Sequence, residues 1–165
     1  MNGEDKAADG GMPLSALCMA NEAAELAVLP QPLQQLRAQA RTVRDPTAAD
    51  GTLAVLLRLA RELPARRVLE IGTGEGCTAL ALLLACPQLS LVTVEADAER
   101  YAAACAHFTR FGVSGRVNAL FGDAAEVLNG LQGPFDLIFL DGPKAQYVRW
   151  LPRLKALLGL SLIHI

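Results

Sequence analysis

The sequence predicts an α/β protein: a central parallel sheet with helices on both faces, preceded by N-terminal helices. Three observations carry this. After residue 64, four short apolar runs alternate with helical stretches. Those runs are continuously apolar rather than alternating, the pattern of strands buried on both faces. The chain has 165 residues, 52% hydrophobic and 19% charged, enough for one packed core and unlike a disordered chain.

Residues 1–12 lack periodicity and read as a loose tail. Residues 13–63 read as a helical segment. Its first helix, 14–29, is rich in Ala, Leu and Glu and is stopped by Pro30. A second spans 31–41. Arg37, Arg41 and Arg44 fall at i, i+4 and i+7 and would share one basic face, either a solvated surface or a contact for an anionic partner. Asp45-Pro46-Thr47 is a turn that opens a third helix running to about Leu63. Thr47 is its expected N-cap, with Asp50 at the third helical position, close to a capping box. Pro64 ends it.

The alternating part spans 64–158. Strands are expected at 67–71, 89–94, 116–121 and 135–140. Helices are expected at 78–85, 97–111, 124–129 and 144–158, the last interrupted by Pro152. Strands of this kind also account for much of the mean hydropathy of +0.29. The richest apolar stretch, 79–85, is far short of the ~20 residues of a membrane span. The acidic, glycine-containing N-terminus does not read as a secretory leader. A net charge of −2 argues against a general nucleic-acid binder. Cys18, Cys77, Cys86 and Cys105 form no CxxC pair and read as buried free thiols in a reducing cytoplasm.

In open α/β sheets, ligands bind beyond the carboxyl ends of the strands. The first strand ends in Glu70-Ile71-Gly72-Thr73-Gly74-Glu75-Gly76, glycines at alternate positions that let backbone approach a ligand, with Thr78 following at the helix start. The spacing is GxGxG, which departs from the GxGxxG of dinucleotide-binding domains. The second strand ends at Glu95-Ala96, about 20 residues on, where an acid accepts hydrogen bonds from a ribose diol or stands as a solvated carboxylate. Gly122-Asp123-Ala124 ends the third strand; Asp123 suits both an adenine edge and a helix N-cap. The fourth ends in Asp141-Gly142-Pro143-Lys144. A lysine beside a carboxylate serves as a general base or as a salt-bridge partner, and spacing alone does not choose.

Taken together, Glu-x-Gly-x-Gly-x-Gly, the acid after the second strand, Gly122-Asp123-Ala124 and Asp141-x-x-Lys144 resemble the class I S-adenosylmethionine-dependent methyltransferases, with their Rossmann-like sheet. More narrowly the chain is similar to O-methyltransferase family 3, the catechol/caffeoyl-CoA type, over about residues 31–158. The resemblance implies methyl transfer from S-adenosylmethionine to a hydroxyl, with residues 13–63 as a lid over the cofactor-binding domain 64–158. It implies that Glu70, Gly72, Thr73, Gly74 and Thr78 lie at the methionine part of the cofactor. Glu95 and Ala96 would lie at the ribose, and Gly122, Asp123 and Ala124 at the adenine. Asp141 would hold a divalent metal, Mg²⁺ by expectation, and the cofactor's amino end, and Lys144 would be the base. Lys144-Ala145-Gln146-Tyr147 is similar to a bacterial branch that includes the tRNA 5-hydroxyuridine methyltransferase. That makes tRNA the favoured acceptor, with Arg37, Arg41 and Arg44 against its phosphates; a catechol-like molecule is the alternative. The family also implies homodimers and no membrane partner.

Two departures stand out. Cys77 sits where the family prefers an aromatic residue. After Leu158 the family continues into a fifth strand ending in Asp-Asn, two metal ligands. Here 159–165 reads Gly-Leu-Ser-Leu-Ile-His-Ile, and His164 is a poor substitute ligand. The expectation is therefore a reading frame truncated by roughly 50 residues, with the last strands missing and half of the metal site lost. The further alternative is a cofactor-binding fragment without turnover.

Overall fold

The computed structural model describes residues 14–42, 47–63, 65–142 and 144–159, with side chains described from residue 21 onward. The tail 1–12, Arg44-Asp45-Pro46, Pro64, Pro143, the Cys18 side chain and His164 lie outside the described residues. Three helices come first: α1 (Leu14–Ala27), α2 (Gln31–Thr42) and α3 (Asp50–Glu62). Then β1 (Arg67–Ile71), α4 (Cys77–Ala85), β2 (Ser90–Glu95), α5 (Ala98–Arg110), β3 (Val117–Phe121), α6 (Ala124–Gly130), β4 (Leu137–Leu140) and α7 (Tyr147–Leu157) alternate. The four strands form one parallel sheet in the order β3-β2-β1-β4. This is the α/β architecture expected from the sequence.

Residue alternation along each strand builds two cores. Val68, Leu91, Leu137 and Phe139 face α2, α3, α4 and the buried side of α5. Leu69, Ile71, Val92, Val94, Ile138 and Leu140 face Leu128 of α6 and Trp150, Leu154 and Leu157 of α7. Strands β1, β2 and β4 are therefore apolar on both faces because both faces are covered. β3 is different. It is one of the sheet's two edges and, unlike β4 at the other, is poorly covered: Asn118 is exposed and Phe121 is 55% exposed, so the expectation of two buried faces fails there.

The chain steps outward from β1 to β2 to β3, then crosses back so that β4 lies on the other side of β1. The strand order thus reverses between β1 and β4, the switch point where such sheets open a crevice.

Several element ends moved. α3 starts at Asp50, capped by Ala49 without a side-chain bond, so Thr47 is not its N-cap. The Asp50 carboxylate is drawn instead to Arg37 (2.9 Å) and to both terminal nitrogens of Arg41. β4 starts two residues later than expected, because Phe135 leaves the β1 ladder and pairs with Leu158. The helix expected from Lys144 begins with a 3₁₀ turn, Lys144–Gln146, and becomes α-helical at Tyr147.

The basic face expected of Arg37 and Arg41 does not form. Arg37 is 4% exposed and bonds Ala48 O and Asp50, and the Asp50 carboxylate binds both guanidiniums. Bonding to Arg41 holds the Asp50 carboxyl below its ordinary pKa. The stripe is the fastener between α2 and α3. Among the described residues no helix is long and apolar enough to cross a membrane. Cys77 and Cys86 are buried and Cys105 is half-buried, and none of the three is in a disulfide.

Candidate functional site

A cavity of about 260 Å³ opens at the carboxyl ends of the strands. Its walls include Gly72 and Gly74 after β1, Glu95 and Ala96 after β2, Gly122, Asp123 and Ala124 after β3, and Asp141 and Gly142 after β4. Eight of the residues singled out in the sequence therefore meet in one place, brought there by parallel strands whose ends lie side by side.

The glycine loop is folded onto the sheet. Gly72 N–H donates to Val94 O (2.9 Å), so the turn out of β1 extends the ladder by one bond. Gly72 has φ +96, and a Cβ there would lie 2.4 Å from Asp141 O. Only glycine permits the two strand ends at the switch point to touch this closely.

Glu95 is 9% exposed, and both its carboxylate oxygens accept backbone N–H groups: Oε2 from Gly74 (2.8 Å) and Oε1 from Asp97 (2.9 Å). Each oxygen keeps a second lone pair for a ligand's hydroxyl. Asp123 caps α6 by accepting from Ala125 N–H (2.8 Å), as its position implied. Asp97 caps α5 through Glu99 and Arg100 N–H.

Four predicted residues are not cavity walls. Glu70 is 1% exposed inside β1. Its Oε2 accepts from Thr93 Oγ1 (2.6 Å), and since the Thr93 proton is thus used, the Thr73 hydroxyl donates to Thr93 (2.5 Å). Burial pushes the Glu70 carboxyl up to about 8, with the Asp141 and Glu95 charges adding to it. Its Oε1 has no hydrogen-bond partner. Thr73 and Thr78 are buried, beneath the loop and in the first turn of α4. Lys144 is exposed on the 3₁₀ turn, three residues beyond Asp141.

The segment carrying Asp141 is held by one side chain. Tyr147 Oη accepts from Gly142 N–H (3.1 Å) and offers its proton to Leu140 O (3.1 Å) or Gly142 O (2.9 Å). Burial raises the Tyr147 hydroxyl above its ordinary pKa. Trp150 lies beneath Gly142, 3.7 Å from its would-be Cβ.

Sequence reading missed Arg100, Gln146 and Trp150 among the walls. Arg100 and Trp150 each lie one helical turn beyond a residue already noticed, Asp97 and Tyr147, and that spacing is the signal that points to them. Gln146 stands in the tetrapeptide 144–147 singled out in the sequence, but was assigned no place at the ligand.

Among the described residues acids predominate around the cavity, where Glu95, Asp123 and Asp141 stand with Arg100. A ligand with positive charge and ribose-like hydroxyls suits it. A divalent metal does not fit the described residues: no three His, Cys, Asp or Glu side chains converge among them, and Asp141 alone supplies too few oxygen donors.

A family model for O-methyltransferases matches residues 22–163. The catechol O-methyltransferase of Mycobacterium tuberculosis is 40% identical over 104 residues, 60% of this chain and 47% of that protein. The catechol O-methyltransferase of Niastella koreensis is 34% identical over 104 residues, 58% of this chain and 47% of that protein. The chain thus spans about half the length of the curated relatives it matches. Among solved structures, the SAH-bound Podospora anserina methyltransferase PaMTH1 has a TM-score of 0.75 at 26% identity, covering 96% of this chain and 72% of that one. The family match runs along most of the chain, which belongs to the O-methyltransferase family.

Proposed function

We propose that the chain is the cofactor-binding part of an S-adenosylmethionine-dependent O-methyltransferase whose acceptor is a catechol-like small molecule. The observation that carries this reading is Glu95. A buried carboxylate fixed by two backbone N–H groups at the second strand end is preorganised for a ribose diol. Asp123 stands at the next strand end, on the adenine side, and Asp141 stands where the ligand's amino end would lie.

S-adenosylmethionine, when bound, supplies a methyl group on a sulfonium. The acidic walls favour a positively charged ligand over its neutral product. Lys144 takes the proton of the acceptor hydroxyl, and the oxygen's electron pair forms the new bond to carbon as the methyl–sulfur bond breaks and its electron pair returns to sulfur. Holding acceptor and methyl donor in line is the main contribution asked of the site.

The small-molecule acceptor draws support from the relatives named above, two of which are catechol O-methyltransferases. The tRNA acceptor rests on Lys144-Ala145-Gln146-Tyr147 alone, because Arg37 and Arg41 are committed to Asp50. Cys77, Cys86 and Cys105 outside any disulfide suit a reducing compartment, the cytoplasm.

Calorimetry with S-adenosylhomocysteine tests the cofactor reading. The wild type is expected to bind, and Glu95→Ala to bind about 10- to 100-fold more weakly, the loss expected for hydrogen bonds to a charged group. A wild type that binds no S-adenosylhomocysteine overturns the reading. Labelled S-adenosylmethionine offered with a catechol panel or with tRNA then separates the acceptors: label in tRNA and not in catechols overturns the small-molecule acceptor in favour of tRNA.

A further inference from the structure

The glycine loop has a brace that lies outside the cavity. His107, in the last turn of α5, places Nδ1 2.9 Å from Glu75 O in the middle of the loop. A carbonyl only accepts, so Nδ1 carries the proton in this bond. The adjacent residue, Phe108, is 2% exposed and packs under the loop. A Cβ at Gly76, whose φ is +84, would meet the Phe108 ring at 2.9 Å. Two consecutive residues of α5 thus hold the loop from behind, one by a hydrogen bond and one by contact.

The other end of α5 holds the same loop from the front. Asp97, its N-cap, donates its N–H to Glu95, whose second oxygen accepts from Gly74. The path Gly74–Glu95–Asp97–α5–His107–Glu75 closes on itself through most of the length of α5. Neighbouring loop groups are already satisfied by the loop and by α4: Thr73 O accepts from Gly76 N–H, and Gly76 O from Leu80 N–H. For the Glu75 carbonyl the described partner is His107.

We propose that His107 is a positioning residue for cofactor binding: its Nδ1–H fixes the Glu75 peptide and, with Phe108, sets the curvature of the loop against which the ligand lies. It touches no ligand and takes no part in proton transfer. The proposal rests on the reading of the cavity as the cofactor site. It needs a donor at Nδ1.

Asn is the discriminating replacement, because its side-chain amide nitrogen takes the place of Nδ1 and donates. In the full chain, His107→Leu and His107→Asp remove the donor. Each is expected to weaken S-adenosylhomocysteine binding about five- to tenfold, the loss of one hydrogen bond, while His107→Asn stays within about twofold of the wild type. In turnover with S-adenosylmethionine the same ratio is expected in KM, with kcat changed less. Thermal melts without ligand control for the fold, and affinity is compared among variants that melt cooperatively. Should Leu and Asp both impair folding, the comparison of Asn with Gln, whose longer side chain carries the donor past the carbonyl, stands in. Equal affinity in wild type, Leu and Asp overturns the brace. Weakening in Asn as large as in Leu also overturns it, because the donor is then not what matters. Failure of the wild type to bind defeats the underlying reading of the cavity instead.

Discussion

The two ends of the cavity are built differently. At the β1–β2 end, Glu95 is nearly buried, takes two backbone N–H groups and is tied to the glycine loop, which is itself laddered to Val94. At the β4 end, Asp141 and Lys144 are exposed, and the segment between strand and helix is a 3₁₀ turn pinned by the Tyr147 hydroxyl. The first end is fixed by the sheet, so its geometry persists without a ligand. The second is held by a few contacts near the surface, where an acceptor must enter and leave. In the proposed chemistry the rigid end binds and the looser end reacts.

The comparison breaks most clearly if the exposed end does not react. Lys144→Met keeps the length of the side chain and removes the base. Methyl transfer is expected to fall by about 10²- to 10⁴-fold, with S-adenosylhomocysteine affinity little changed. A kcat within threefold of the wild type would remove Lys144 from the chemistry and with it the division of labour.

Next in size is the contact between the two ends. Gly72→Ala puts a Cβ 2.4 Å from Asp141 O on a backbone with φ +96. Crowding and strain together are expected to cost about 3 kcal/mol, lowering Tm by roughly 6–12 °C. Differential scanning calorimetry reads this directly. A shift under 2 °C would mean that the β1 and β4 ends separate easily.

Most of this was legible beforehand for a physical reason. Parallel strands buried on both faces are runs of Val, Ile and Leu that end abruptly, so the strand ends, and hence Gly72, Glu95, Gly122 and Asp141, stand out in the text of the chain. Side-chain partnerships across sequence distance do not. Asp50 resembles a capping-box residue, but its bond to Arg37 depends on how α2 and α3 cross. His107 is an ordinary helical residue until α5 is laid against the glycine loop. Tyr147 belonged to a noticed tetrapeptide, yet its role depends on its hydroxyl reaching back to Leu140 and Gly142. Glu70 looked like a ligand contact because it precedes the loop. Strand alternation instead points it toward the α4 face, under Thr73 rather than into the cavity.

Glu70 gives the rigid end a pH signature. Its carboxyl is raised from 4.5 to about 8 in the folded chain, mainly by burial. Between those values the folded state holds a proton that the unfolded state has released. Stability from this group is therefore full below about pH 4.5 and declines as pH rises toward 8, by at most about 1.4 kcal/mol per pH unit. Glu70→Gln keeps an acceptor for Thr93 without the charge. Denaturant melts of the variant should lack the decline that the wild type shows between pH 5 and 8. Parallel slopes for both proteins would place the decline elsewhere.

The smallest expected effect concerns the looser end alone. Tyr147→Phe keeps the ring against Trp150, 5.9 Å between centroids, and removes the hydroxyl that bonds Gly142 N–H and one of two carbonyls. Water reaches this half-buried turn and replaces part of what is lost, so the net cost is about 1 kcal/mol, near fivefold. Because the freed segment carries Asp141 and leads into Lys144, that factor should appear in kcat more than in S-adenosylhomocysteine affinity. Glu95→Ala should show the reverse split, affinity more than kcat. If Tyr147→Phe weakens cofactor binding as much as it slows transfer, then the β4 turn belongs to the binding end as well, and the cavity is one rigid unit rather than two unlike halves.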